Sequence, residues 1–300
     1  MFKGNSGRSR RAMIGSVLSF LLLTGASALP VHAKEQPSMT ASTNAAKMLS
    51  VDGKTLAYLE MGAGPTVVII HGVGGHKEDW KGVAAALAGT HHVLAIDMLG
   101  FGQSSKTGDD LSMSVQAAAI KALLASHGVA KADIVGNSVG GWVATTFAAT
   151  YPQLVRKLII IDAAGFKAMF EGPPPVNFDP NNADEMQKLI DFTINGPVAK
   201  TPGLAQQAFD AYVSSGEKAI TATWGNSLYA STRLEALFPK VKAPTLVLWG
   251  ADDKLFPSVL CSAFSAQIPG STCHMIPGAG HFPQIDQPDA TIKAIADFLG

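Results

Sequence analysis

Three side chains, spread over nearly half of the chain, have the types and the order needed for nucleophilic acyl chemistry. Ser138 lies in "DIVGNSVGGWVATT", boxed by Gly136 and Gly140 directly after the apolar run Asp133-Ile134-Val135. A serine hydroxyl is a poor nucleophile until a base takes its proton, and that base needs a carboxyl group to orient it. "LVLWGADDKLFP" offers Asp252 and Asp253 just after an apolar run, and "IPGAGHFPQID" offers His281 just after the last one. The pattern G-x-S-x-G is weak alone, but its place here strengthens it. A serine on a sharp strand-to-helix turn needs strained backbone angles, and bulky residues two positions either side would collide with the strand and helix. The first amides of the following helix then face the serine's surroundings, where they stabilise developing negative charge.

Those residues need elements that bring them together. Strand-like runs occur at 47–51, 56–61, 67–71, 92–97, 133–136, 157–162, 245–250 and 272–276. "TVVII", "KLIIID" and "TLVLW" are continuously apolar, as strands covered on both faces are. Helical patterns lie between them at 77–87, 112–127, 138–150, 257–267 and 288–299. This alternation predicts an α/β fold, a mostly parallel eight-stranded sheet with helices on both faces. Loops at the carboxyl ends of such strands converge on one crevice, where Ser138, His281 and one of Asp252 and Asp253 can meet. Residues 166–229 break the rhythm with a proline-rich stretch and helical patterns only, which predicts a helical cap or lid inserted after the sixth strand. The core then comprises residues 34–165 and 230–300.

Composition bounds the partners. The chain has 300 residues, 47% hydrophobic and 15% charged, with zero formal net charge, so one large core is expected and no basic surface for nucleic acid. A small-molecule substrate is the expected partner. Arg8, Arg10 and Arg11 precede the apolar run 12–23, and Val31 and Ala33 are small residues before a cut, the layout of a signal peptide over residues 1–33. Export to the periplasm or beyond is therefore expected, with no stable membrane span after processing. Removing Lys3 and those three arginines leaves 19 basic and 23 acidic side chains, a charge suited to a soluble exported protein. Cys261 and Cys273 are the two cysteines; a disulfide and a pair of buried thiols are equally open readings. So few ligand candidates suggest no metal site, and nothing calls for a cofactor.

At this point the chain resembles the α/β-hydrolase superfamily from about Leu49 to Gly300. "VVIIHGVGG" is similar to its oxyanion segment and "AIDMLGFGQSS" to its D-x-x-G-x-G-x-S turn. "GNSVGG" resembles its nucleophile elbow, "WGADDKLFP" its acid loop and "GAGHFP" its histidine loop. The resemblance implies Ser138 as nucleophile, His281 as general base and acid, and Asp253 as orienting acid, three residues beyond Gly250. Asp252 is the rival and Asp162 a remoter one. It also implies the Val73 and Val139 amides as oxyanion donors, each worth roughly 3–4 kcal/mol to the transition state.

The expected activity is carboxylic-ester hydrolysis, as in esterases and lipases. The alternatives are carbon–carbon cleavage of the meta-cleavage type, a cofactor-free perhydrolase, and a non-catalytic binding protein. Carbon–carbon relatives usually carry a lid arginine and a tryptophan after the histidine; here 166–229 holds no arginine and Phe282 follows His281. Phe282, Trp224 and Phe192 are candidate pocket residues. His71 is expected to brace its loop, and His76, His91 and His92, flanking turns, to be solvated.

Overall fold

The computed structural model describes residues 45–106 and 110–300, so the signal-peptide reading lies outside the described residues. Eight strands form one sheet: β1 (Lys47–Val51), β2 (Lys54–Met61), β3 (Thr66–Ile70), β4 (His92–Ile96), β5 (Ala132–Asn137), β6 (Val155–Ile161), β7 (Thr245–Gly250) and β8 (Thr272–Ile276). Their order is β1-β2-β4-β3-β5-β6-β7-β8. β2 runs antiparallel to β1 and β4, and the remaining neighbours are parallel, as a mostly parallel sheet requires. Every residue of β3, β5 and β7 is buried, which explains why those runs do not alternate.

Helices α1 (Lys81–Leu87), α2 (Met113–Ser126) and α3 (Val139–Thr150) connect the first half of the sheet. Two apolar clusters, one on each face, hold the layers together. Trp142, Phe147 and Val143 of α3 fill one beneath β5 and β6, while Trp80, Leu87 and Ile295 fill the other.

After β6 come α4 (Ala183–Thr193), α5 (Leu204–Ser214) and α6 (Glu217–Ala230), with no strand among the described residues between β6 and β7. Asn182 caps α4 by accepting from the Glu185 amide, and Asp184 and Glu185 in its first turn complement the helix dipole. α4 and α5 bury Met186, Ile190, Leu204, Ala208 and Tyr212 in a separate small core, against which Phe282 and Ile285 also pack. The chain closes with α7 (Leu234–Leu237), α8 (Leu260–Ser265), α9 (Pro283–Asp286) and α10 (Pro288–Leu299). Cys261 on α8 and Cys273 on β8 form a disulfide, with Cα atoms 5.5 Å apart, which settles the two open readings.

Candidate active site

Ser138 stands between the end of β5 and the start of α3 with φ 56° and ψ −122°, left-handed backbone that a non-glycine residue rarely adopts. The crowding around it is measurable. A methyl group on Gly136 would lie 2.1 Å from the Gly140 carbonyl oxygen, and one on Gly140 would lie 2.4 Å from the Ile70 and His71 carbonyl oxygens. Glycine at both places is thus a condition of the turn itself. The Ser138 amide is anchored to the Ile161 carbonyl, 2.8 Å away on β6.

Asp253 and His281 pair with each other in the loops after β7 and β8, at the same end of the sheet as Ser138. His281 Nδ1 lies 2.9 Å from Asp253 Oδ2, and both side chains are buried. Asp253 Oδ1 accepts from the amides of Leu255 and Phe256, at 2.8 and 3.2 Å, which fixes the carboxyl plane. The imidazole is gripped edge-on by Phe256 and Phe282, each ring centroid 5.1 Å away. The tautomer that donates its Nδ1–H to Asp253 leaves Nε2 as an acceptor, and Nε2 is buried with no hydrogen-bond partner among the described residues. That is the state a general base needs.

Asn137, the variable member of the elbow motif, joins the parts. Its Nδ2 donates to the Ile161 carbonyl at 3.2 Å and to the His281 carbonyl at 3.1 Å, tying the histidine loop to the residue before the nucleophile. Sequence alone offered no role for it, since the partner lies 144 positions away.

Of the rival acids, Asp252 shows no side-chain bond to His281, whereas Asp162 lies beside Asp253. Asp252 uses its backbone, donating to Ala279 and accepting from Asn195 Nδ2. Asp162, at the end of β6 with φ 44°, is fully buried and accepts from the Gly250 amide at 2.9 Å. One donor atom each from Asp162, Asp253 and His281 lies within 4.8 Å of the others. Burial, then the Asp253 charge, pushes the Asp162 carboxyl well above the usual carboxylate range. Asp162 thus stands beside Asp253 as a buried carboxyl for which ionisation is disfavoured.

Opposite the elbow, the loop after β3 presses on Ser138: a methyl on Gly72 would lie 2.9 Å from Ser138 Cβ. The amides of Val73 and Val139 engage no acceptor among the described residues, the condition for donating to an oxyanion. His71 braces this loop as expected, with Nδ1 2.6 Å from the Gly72 carbonyl and Nε2 accepting from the Met98 amide at 3.0 Å. Burial lowers the His71 imidazole to about 4, which keeps it neutral.

The expectation of solvated turn histidines is corrected. His76 is buried beneath α6 with Nε2 2.6 Å from Glu217 Oε1, and Glu217 also accepts from the Gly102 amide. Burial opposes the charge on His76, but Glu217, Asp79 and Asp97 outweigh it and raise the imidazole to about 9. His91 is buried against Thr90, and His92 is partly covered beside Glu60. Lying near a turn says nothing about what a distant helix covers. The D-x-x-G-x-G-x-S turn is likewise structural. Asp97 forms a buried pair with Lys77 at 2.7 Å, and Ser104 Oγ donates to the Asp97 carbonyl.

Of the candidate pocket residues, only Phe282 touches the triad. Trp224 is buried in the main core, edge-on to Phe101, with its indole N–H donated to the Leu111 carbonyl. Phe192 lines a cleft of about 450 Å³ with residues of the proline-rich stretch and α4, and that cleft includes no triad residue. Arg233 spends its guanidinium at home, donating to the Leu228 and Ser231 carbonyls and stacking 3.7 Å from the Phe170 ring centre.

An eight-stranded sheet in this order with a serine elbow, an acid after β7 and a histidine after β8 defines a hydrolase architecture. The chain belongs to the alpha/beta hydrolase fold family, whose profile matches residues 65–288. It is 30% identical to Lipase 1 of Psychrobacter immobilis over 253 residues, covering 80% of this chain and 78% of the lipase. It is 29% identical over 273 residues to the 2-hydroxy-6-oxo-6-(2'-aminophenyl)hexa-2,4-dienoic acid hydrolase of Metapseudomonas resinovorans, covering 84% of this chain and 90% of that enzyme. The crystal structure of a membrane phospholipase A, a bacterial virulence factor, superposes with a TM-score of 0.75 at 28% identity, covering 85% of each chain. Family and relatives together support hydrolase activity.

Proposed function

We propose that the protein is a serine carboxylic-ester hydrolase working through an acyl-enzyme. The observation that carries this reading is His281, bonded through Nδ1 to Asp253 with a buried, unpartnered Nε2, on a loop that Asn137 ties to the nucleophile elbow. Ser138 Oγ attacks the ester carbonyl carbon while His281 Nε2 takes the hydroxyl proton. The carbonyl oxygen becomes an oxyanion held by the Val73 and Val139 amides. As the tetrahedral intermediate collapses, the ester C–O bond breaks and the alcohol leaves with the proton from His281. Water, deprotonated by the same nitrogen, then attacks the acyl-enzyme; the second tetrahedral intermediate releases the carboxylic acid and returns the proton to Ser138.

Ester cleavage is favoured over carbon–carbon cleavage because Arg233 is committed to backbone carbonyls and an aromatic ring, leaving no arginine of this region for an acidic substrate end. The dienoic acid hydrolase relative keeps the second reading in contention. The disulfide between α8 and β8 supports an exported protein, since such bonds persist in oxidising compartments. Among the described residues, no helix is long and apolar enough to cross a membrane.

A fluorophosphonate probe should label the protein and fail to label Ser138→Ala. Equal labelling of both would end the serine-hydrolase assignment. A chain-length series of p-nitrophenyl esters run beside a ring-fission dienoate then fixes the bond cleaved. Turnover of the dienoate without any ester would move the reading to carbon–carbon hydrolysis.

A further inference from the structure

The end of the sheet away from Ser138 carries a second group of ligand-type side chains. Glu60 lies on β2, His92 is the first residue of β4, and His127 caps the C-terminus of α2. One donor atom from each lies within 4.8 Å of the others. His92 Nε2 is 2.9 Å from Glu60 Oε1, and His127 Nε2 is 3.6 Å from Glu60 Oε2. Tetrahedral zinc bonds of about 2.0–2.1 Å place neighbouring donors roughly 3.3 Å apart, a spacing these two pairs straddle. All three side chains are partly exposed, at 16–21% of their side-chain surface, so an ion can enter from solvent.

The outer nitrogens argue for ligation as well. His127 Nδ1 lies 2.9 Å from the Leu123 carbonyl, which can only accept, so that bond holds the ring with Nε2 turned toward Glu60. His92 Nδ1 is engaged by Thr66 Oγ1 at 3.2 Å, and the Tyr58 ring stands edge-on to His127 with centroids 5.5 Å apart. Imidazoles held by their outer nitrogen are the usual surroundings of a metal site. Lys47 Nζ, 2.6 Å from Glu60 Oε2, competes for the same carboxylate, but its side chain is 58% exposed and free to swing away.

We propose that Glu60, His92 and His127 form a site for a divalent transition metal of the zinc type, with water completing the coordination. Two imidazoles and one carboxylate suit zinc and its neighbours better than calcium or magnesium, which prefer all-oxygen sites. Such an ion cross-links β2, β4 and α2. It acts on stability rather than chemistry, because His92 starts β4 whereas Ser138 follows the far end of β5.

The test uses tag-free, chelator-treated protein titrated with zinc by calorimetry, with thermal melts and ester turnover in parallel. One zinc per chain at micromolar or tighter Kd, with a higher Tm and unchanged turnover, is expected. Glu60→Gln and His127→Ala should each weaken binding at least tenfold, whereas Lys47→Ala should tighten it by removing the competing ammonium. Circular dichroism checks the fold, and His92→Gln stands in for any variant that fails to fold. Binding only at millimolar zinc, affinity indifferent to these substitutions, or weaker binding in Lys47→Ala would overturn the proposal.

Discussion

Two carboxyl groups occupy one buried corner behind His281, and their environments divide the work between them. Asp253 is fixed by the Leu255 and Phe256 amides and faces Nδ1, whereas Asp162 is held by the Gly250 amide and pushed upward by burial and by Asp253. Asp253→Asn should therefore cut kcat on an ester by about 10⁴-fold, as loss of the orienting acid does elsewhere. Asp162→Asn should leave kcat within about tenfold, because the amide oxygen can still accept from Gly250 while Asp253 keeps its bond to His281. The same substitution should change the pH dependence of stability. A carboxyl raised in the folded state contributes stability that is complete below its unfolded value, about 3.9, and lost as pH rises toward its folded value. Above about pH 4, Asp162→Asn should thus gain stability relative to the parent, read as a widening gap between urea midpoints. A collapse of kcat in Asp162→Asn with Asp253→Asn active would reverse the two roles.

Element by element, the region after β6 is knotted to the catalytic loops rather than merely placed over them. The Thr193 carbonyl at the end of α4 accepts from the His281 amide, and Asp286 accepts from the amides of Asn195, Gly196 and Gly280. On the opposite side, Glu217 at the start of α6 holds His76, three residues beyond Val73. We infer that this segment is a cap whose seating sets the oxyanion loop. His76 is raised to about 9 in the fold, so its stabilisation is complete below about pH 6.5 and disappears as pH rises through 9. Stability should fall across that window by at most about 1.4 kcal/mol per pH unit. Glu217→Gln should flatten that slope, lose about 3 kcal/mol near pH 7 through the stranded buried imidazolium, and lower ester turnover. An unchanged slope in pH-dependent denaturation would remove His76 as the titrating group.

Across the whole molecule, the sheet carries chemistry at one end and closes its β8 edge covalently. The bond from Cys261 to Cys273 spans 12 residues, a loop whose closure contributes about 3 kcal/mol on chain entropy. Cys273→Ser, or reduction of the bond, should lower stability by about 2–3 kcal/mol with the triad left intact, measured by denaturant midpoint and by kcat at 25 °C. Loss of activity without loss of stability would instead place the disulfide in control of the nearby His281 loop.

The strands and their mostly parallel arrangement were legible because each is written locally, and the same local signals marked out the candidate site. Continuously apolar runs mark buried strands, paired glycines mark a turn too tight for side chains, and motif order follows strand order. Ser138 and His281 could be singled out from such signals before any contact was known, whereas the choice of Asp253 over Asp252 came from the resemblance to the family. What only the tertiary structure decided is who stands beside whom across long separations. It gave Asn137 its hold on His281, buried His76 under Glu217, set Asp162 beside Asp253, paired the cysteines, and brought Glu60, His92 and His127 together from three elements. None of these leaves a trace in spacing, because hydrogen bonds, pKa shifts and ligand sets depend on distance in space, and the fold alone converts sequence separation into contact.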